Sequence, residues 1–246
     1  MNYWPMFLKG AGVTLLIAIT GTLTGSLIGL LIGVVRTIPV SVNDSLLKRI
    51  TFKIINVILS IYIEVFRGTP MIVQAMVIFY GVATIFSVTL PVILAGYVIV
   101  SINTGAYMAE IVRGGIISVD KGQFEASHSI GMNHGQTMLN VVLPQVMRNI
   151  LPATGNEFII NIKDTSVLNV IAVTELFFAS KAIAGANFQY FPVFLITCVI
   201  YLIMTFTITR ILRIFERKLA GRDTYTIHGS QTTPESEIVV EDRHGR

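Results

Sequence analysis

Glu64-Val65-Phe66-Arg67-Gly68-Thr69-Pro70 interrupts the apolar stretch Ile54–Tyr80 and puts Arg67 at its centre. Glu64 precedes Arg67 by three residues, so the two side chains can share a helix face. Gly68 and Pro70 weaken the helix just beyond them. A charge beside a broken helix is one way a membrane protein presents backbone groups to a solute. A Glu64–Arg67 pair that only holds helices together is the plainer alternative. A second stretch, Asn149–Leu176, carries Asn156, Glu157, Asn161, Lys163, Asp164, Thr165 and Ser166. Among these, Asn156, Glu157, Asn161 and Asp164 recur at helical spacings of three and four. That predicts a polar face turned to protein or to a watery path. Two such stretches in one chain favour a solute pathway over polar glue between helices.

The elements that must position these residues are apolar. Of 246 residues, 53% are hydrophobic and 13% charged, against roughly 25% charged in a soluble domain. This excludes a water-facing surface over most of the chain, and excludes intrinsic disorder outside the C-terminal tail. A single Cys excludes a disulfide scaffold or a cysteine-rich metal site. The formal charge of +4 does not imply nucleic acid, because placement matters more than the sum. Uncharged runs cover Gly10–Val35 (26 residues), Gly68–Ala109 (42) and Ala182–Thr209 (28). A helix rises about 1.5 Å per residue, so about 20 apolar residues cross a ~30 Å hydrocarbon core. The turn-like Ser87–Pro91 divides the longest run.

The expectation is an all-α membrane protein with five transmembrane helices, roughly 11–35, 54–82, 90–110, 149–176 and 190–211. They make a domain over 1–222, followed by a disordered cytoplasmic tail over 223–246. An open strand in lipid would leave backbone groups unpaired. Twelve Lys and Arg fall in 36–53, 113–148 and 210–222, against two, Lys9 and Lys181, on the other side. Positive charge stays cytoplasmic, which predicts an outside N-terminus and a cytoplasmic C-terminus. Tyr3 and Trp4 suit an outer interfacial anchor. The first apolar run is too long for a cleaved signal, and no basic region precedes it.

Gly21, Gly25, Gly29 and Gly33 line one face of the first span and invite close approach by another backbone. Packing inside the subunit is the plain reading, and a subunit contact or sliding surface the sharper one. In the cytoplasmic segment 113–144, Asp120 with Gln123 and Asn133 with Gln136 have the form of capping boxes. Gly131 can end a short helix there, and Pro144 stops a second helix or opens the next span. The result is a small helix–turn–helix that offers Glu125, His128, Asn133 and His134 to a cytoplasmic partner. A plain connector is shorter. His128 and His134 fit a solvated face better than a metal site, and Cys198 reads as packing. With no Gly-x-x-x-x-Gly-Lys-Ser/Thr loop and no His-Glu-x-x-His, no catalytic group and no resident cofactor is expected.

Glu125-Ala126-Ser127, then Gly131, Val141 and Leu143-Pro144, resembles the EAA loop of the permease subunits of bacterial ABC importers. Ser127 and Val141 are mild departures from its usual alanine and isoleucine. Glu110-Ile-Val-Arg113-Gly-Gly-Ile, Gly122-Gln-Phe-Glu125-Ala, Phe66-Arg67-Gly68-Thr69-Pro70 and Lys163-Asp164-Thr165-Ser166 resemble the polar amino acid branch. The likeness spans about residues 8–220. It implies a type I permease fold in the bacterial inner membrane, paired with a second permease subunit. It also implies a separate ATPase dimer, which uses ATP and Mg and docks on the loop through Glu125, Ala126, Gly131, Asn133 and Pro144. An extracellular or periplasmic binding protein delivers the amino acid. Arg67 and Thr69, with Asn156, Glu157, Asn161 and Asp164, are the implied solute contacts between the second and fourth spans. On this reading Arg67 meets the α-carboxylate, Thr69 and Asn161 orient the solute, and Glu157 meets an ammonium or cationic side chain. An ion-coupled carrier also needs broken, charged spans. A membrane receptor or assembly factor would explain the loop but not those spans.

Overall fold

The computed structural model describes residues 3–42, 44–219, 226–228 and 237–239. Three helices are long and apolar enough to cross a membrane: α1 (Trp4–Arg36), α4 (Val92–Ile117) and α9 (Tyr190–Leu219). Two bent pairs bring the candidate spans to five. The first pair is α2 (Leu46–Gly68) with α3 (Met71–Phe86). The second joins the helical run His134–Ile171 to α8 (Leu176–Asn187). The fourth-span helix, α7, is Leu143–Asp164, and the short helices α5 (Lys121–Ser129) and α6 (His134–Thr137) precede it.

Small residues decide how the bundle closes. The four glycines of α1 lie directly over Val100, Thr104, Met108 and Val112 of α4. A Cβ on Gly29 would stand 2.7 Å from the Ala109 backbone nitrogen, so only hydrogen fits there. The plain reading of this stripe, packing within the subunit, is what the fold contains. On the side of α4 that faces α2, the Tyr62 hydroxyl donates to the Ile102 carbonyl at 2.6 Å. At the basic ends of these helices, Glu110 accepts from Arg36 and from Arg113, and Arg36 also donates to Ser60. One carboxylate thereby ties α1 to α4, and its partner arginine reaches α2.

Two elements depart from the expected spans. The second span is a corner of 116°, because Thr69 adopts extended backbone before Pro70 and the proline supplies no N–H. The fourth span is a helix only to Asp164. Beyond it a 3₁₀ segment, Thr165–Ile171, ends at Ala172 with φ 63°. Thr165 donates to the Ile162 carbonyl and Asn169 to the Ser166 carbonyl, local bonds that compete with the α-helical ladder. Leu176–Asn187, which falls almost wholly between the expected fourth and fifth spans, is a helix. Buried Glu175 caps it, accepting from the Phe177 and Phe178 amides at 2.7 Å each and from the Tyr201 hydroxyl. Cys198, expected in packing, is exposed on the subunit surface. Most of the tail expected over 223–246 lies outside the described residues. Its described pieces, β1 (Thr226–His228) and β2 (Glu237–Val239), pair antiparallel with Ile227 opposite Ile238.

Candidate functional site

The corner between α2 and α3 carries the first group of expected site residues. Arg67 is exposed in the last turn of α2, and its guanidinium lies 5.5 Å from the centre of the Tyr107 ring on α4. The plainer alternative, a Glu64–Arg67 pair that holds helices together, is not what the structure contains: among the described residues no ion pair involves either side chain, and both are exposed. One aromatic ring of α4 thus meets the cation of the broken second span. A guanidinium over a ring face offers the carboxylate of a zwitterion its complement.

The remaining expected contacts divide. Thr69 is exposed at the corner, but its hydroxyl already donates to the Val65 carbonyl at 2.7 Å. Asn161 is buried away from Arg67. It donates to Thr22 of α1 at 2.8 Å and to Thr104 of α4 at 2.9 Å, so it serves the α1–α4–α7 seam. Asn156 is exposed, whereas Glu157 is 4% exposed and Asp164 half-buried. Glu157, Asn161 and Asp164, spaced by four and three, therefore share one face of α7, and Asn156 lies off it.

Two side chains absent from the sequence expectations build the corner. Gln74, buried in α3, donates to the Phe66 carbonyl (2.9 Å), the Thr69 carbonyl (2.8 Å) and the Thr69 hydroxyl (2.9 Å). Buried Asn103 of α4 donates to the Gln74 Oε1 at 2.8 Å. These amides satisfy carbonyls that the end of a helix leaves unpaired. A signal was available, since Gln74 and Asn103 are the only side-chain amides in the 42-residue run Gly68–Ala109.

The second group sits on a helical hook below α4. Asp120 caps α5 by accepting from the Gly122 amide at 2.7 Å, without the reciprocal Gln123 bond of a full box. Asn133 and Gln136 form the complete capping box. Gly131 turns the chain between the two helices at φ 86°. The run from α6 continues through a π-helical turn, Met138–Val142, into α7, so Pro144 opens the next span rather than stopping a helix. Glu125, Ala126, Gly131, Asn133 and Pro144 are all exposed, beside the exposed apolar side chains of Ile130 and Leu139. Burial first, and His128 second, hold His134 below the usual imidazole range, so it is neutral at neutral pH. Underneath, Met108, Val112 and Ile116 of α4 pack with Met138, Val142 and Val146 in one buried cluster that Phe124 joins. The hook is therefore continuous with both helices that carry the site.

The helical bundle, with three helices and two bent pairs long and apolar enough to cross a membrane, defines the class as a multi-pass membrane protein. Residues 45–221 match the family described as binding-protein-dependent transport system inner membrane component. The chain is 38% identical over 216 residues to the glutamine transport system permease protein GlnP of Escherichia coli (strain K12), covering 87% of this chain and 93% of the relative. It is 33% identical over 219 residues to the arginine transport system permease protein ArtQ of Bacillus subtilis (strain 168), covering 89% and 94%. A crystal structure of an amino acid ABC transporter with histidines superposes at a TM-score of 0.77 with 38% identity, covering 88% of this chain and 95% of that one. The MetNI methionine ABC transporter shares the fold, at a TM-score of 0.70 and 18% identity, over 89% and 99%. The chain belongs to the binding-protein-dependent inner membrane component family and has the type I ABC permease fold.

Proposed function

We propose that this chain is the membrane subunit through which a bacterial ABC importer brings a polar L-amino acid across the inner membrane. The Arg67–Tyr107 pair at the broken second span, with buried Glu157 and half-buried Asp164 on the charged turns of α7, carries the reading. Relatives named for glutamine and arginine support a solute with a polar or charged side chain. Arg67 takes the α-carboxylate, Glu157 and Asp164 take the α-ammonium or a cationic side chain, and Thr69 and Asn161 shape the surroundings. The N-terminus lies outside and the tail inside. A second permease subunit completes the pathway, and a binding protein delivers the amino acid. A separate ATPase dimer uses ATP and Mg and docks on Glu125, Ala126, Gly131, Asn133 and Pro144. Its closure moves the hook, and the buried cluster carries that motion to α4 and α7.

Arg67→Ala in the assembled complex should strongly reduce uptake and the stimulation of ATP hydrolysis by loaded binding protein, while basal hydrolysis persists. Removing a guanidinium–carboxylate bond costs ~1.5–3 kcal/mol, roughly a tenfold to hundredfold loss. Wild-type uptake would reject the site. Gly131→Asp tests the hook separately. No atom crowds a side chain there, so the change acts through backbone strain of about 1–2 kcal/mol and through added charge. The variant should insert normally and lose the ATPase on purification. Retention of the ATPase at wild-type stoichiometry would refute docking on this turn.

A further inference from the structure

Helices α7 and α9 line an open groove of about 320 Å³. Lys163, Arg210 and Arg213 line it, together with Ile159, Leu202 and Phe206. Among the described residues the ion pairs join Arg36 and Arg113 to Glu110 and Lys48 to Asp44, and none includes these three cations. All three are exposed, and the Arg210 guanidinium rests 4.7 Å from the centre of the Phe206 ring, which orients it. Leu202 and Phe206 are more than half exposed, so the wall that runs into the span is apolar.

Depth separates the two chemistries. From Tyr190 at the start of α9, Arg210 lies a rise of ~30 Å along the axis, the thickness of one hydrocarbon core. The arginines therefore stand at the level of lipid phosphates, while Leu202 and Phe206 stand one to two turns deeper, among acyl chains. Lys163, on the neighbouring helix, lines the same groove. A soluble anion would satisfy the cations and leave the apolar wall in water. A zwitterionic lipid would leave positive charge uncompensated.

We infer that this groove is a binding site for an anionic glycerophospholipid, its phosphate on Arg210, Arg213 and Lys163 and one acyl chain along Leu202 and Phe206. Bound there, the lipid braces α9 against the charged turn of α7 and neutralises cations next to the proposed pathway. Basic pockets between helices on the cytoplasmic side recognise lipid head groups in this way.

The test is native mass spectrometry of the assembled transporter, delipidated and then exposed to equimolar phosphatidylglycerol and phosphatidylcholine. The wild-type complex should retain phosphatidylglycerol with roughly tenfold preference, the effect of one to two charges near a membrane surface. Arg210→Gln with Arg213→Gln should bring the two lipids to parity. Lys121→Gln with Arg148→Gln, the same loss of charge elsewhere, should leave the preference intact, as should the charge-preserving Arg213→Lys. An undiminished preference in the Arg210→Gln/Arg213→Gln complex overturns the site. So does displacement of the lipid by millimolar inorganic phosphate, which marks a soluble-anion site. A Thr209→Cys chain in a Cys198→Ser background that crosslinks efficiently to its own copy also overturns it, because a second subunit then fills the groove.

Discussion

Gly29→Ala should prevent α1 from seating on α4 and lower the thermal midpoint of the purified subunit by roughly 10 °C. The added methyl would meet the Ala109 nitrogen and the Met108 carbonyl carbon at 2.7 Å each. Both are backbone atoms in the middle of a long helix, so no rotamer change relieves the clash and the helix axes must part. Parting them strains the contacts on either side, where Gly25 already sits against Thr104 and Gly33 against Val112. It also strains the hydrogen bond of 2.6 Å between Thr24 and Ser101. Overpacking a core costs ~1–3 kcal/mol and occasionally more, and about 1 kcal/mol shifts the midpoint of a chain this size by roughly 2–4 °C. Gly12→Ala, on the same helix but with nothing within 4 Å of a Cβ, should be neutral or slightly stabilising, because alanine is the better helix former. Equal midpoints for the two variants, measured by thermal denaturation in detergent, would show that the glycine stripe does not set the α1–α4 distance.

The legibility of this fold follows the range of the interactions involved. The spans and the spacing of the α1 glycines are properties of single segments, and composition and periodicity reveal them. The hook was legible for the same reason, since Asn133 with Gln136 and Gly131 act within a few residues of themselves. The size of the corner at Pro70 was not, because a proline states only that a helix weakens. Gln74 and Asn103, eight and 37 residues from the Phe66 carbonyl they hold, decide the direction. The helix Leu176–Asn187 escaped notice because glutamate is an uncommon cap, and Glu175 becomes one here only with Tyr201 and Thr14 packed around it. At the candidate site, residue types were readable and orientations were not. Asn161 shares a face of α7 with Glu157 and Asp164, yet it meets the hydroxyls of Thr22 and Thr104, a choice made by the packed helices.

Gln74→Leu should leave the subunit assembled and reduce uptake by roughly ten- to a hundredfold. Leucine fills nearly the same space in α3 but cannot donate, so the Phe66 and Thr69 carbonyls lose the amide that now caps them. The Asn103 amide loses its closer acceptor and keeps only the 3.4 Å bond to the Phe66 carbonyl. Each stranded polar group costs ~1–3 kcal/mol, which the corner can relieve by opening towards water. That movement carries Arg67, one residue beyond Phe66, away from the Tyr107 ring. A displacement of about 1 Å in a preorganised site can cost ~10²-fold. The hook is remote from the corner and keeps its own capping box, so basal ATP hydrolysis and ATPase co-purification should match wild type. Stimulation by loaded binding protein should require far more substrate for half-saturation, which a loss of folded protein would not produce. Asn103→Leu should have a similar effect, and the Gln74→Leu/Asn103→Leu pair should be no worse than either alone, because both remove one shared hydrogen-bond relay. Additive losses, or a Gln74→Leu transporter with wild-type half-saturation, would mean that the corner keeps its angle through Pro70 alone and that the two amides only fill space.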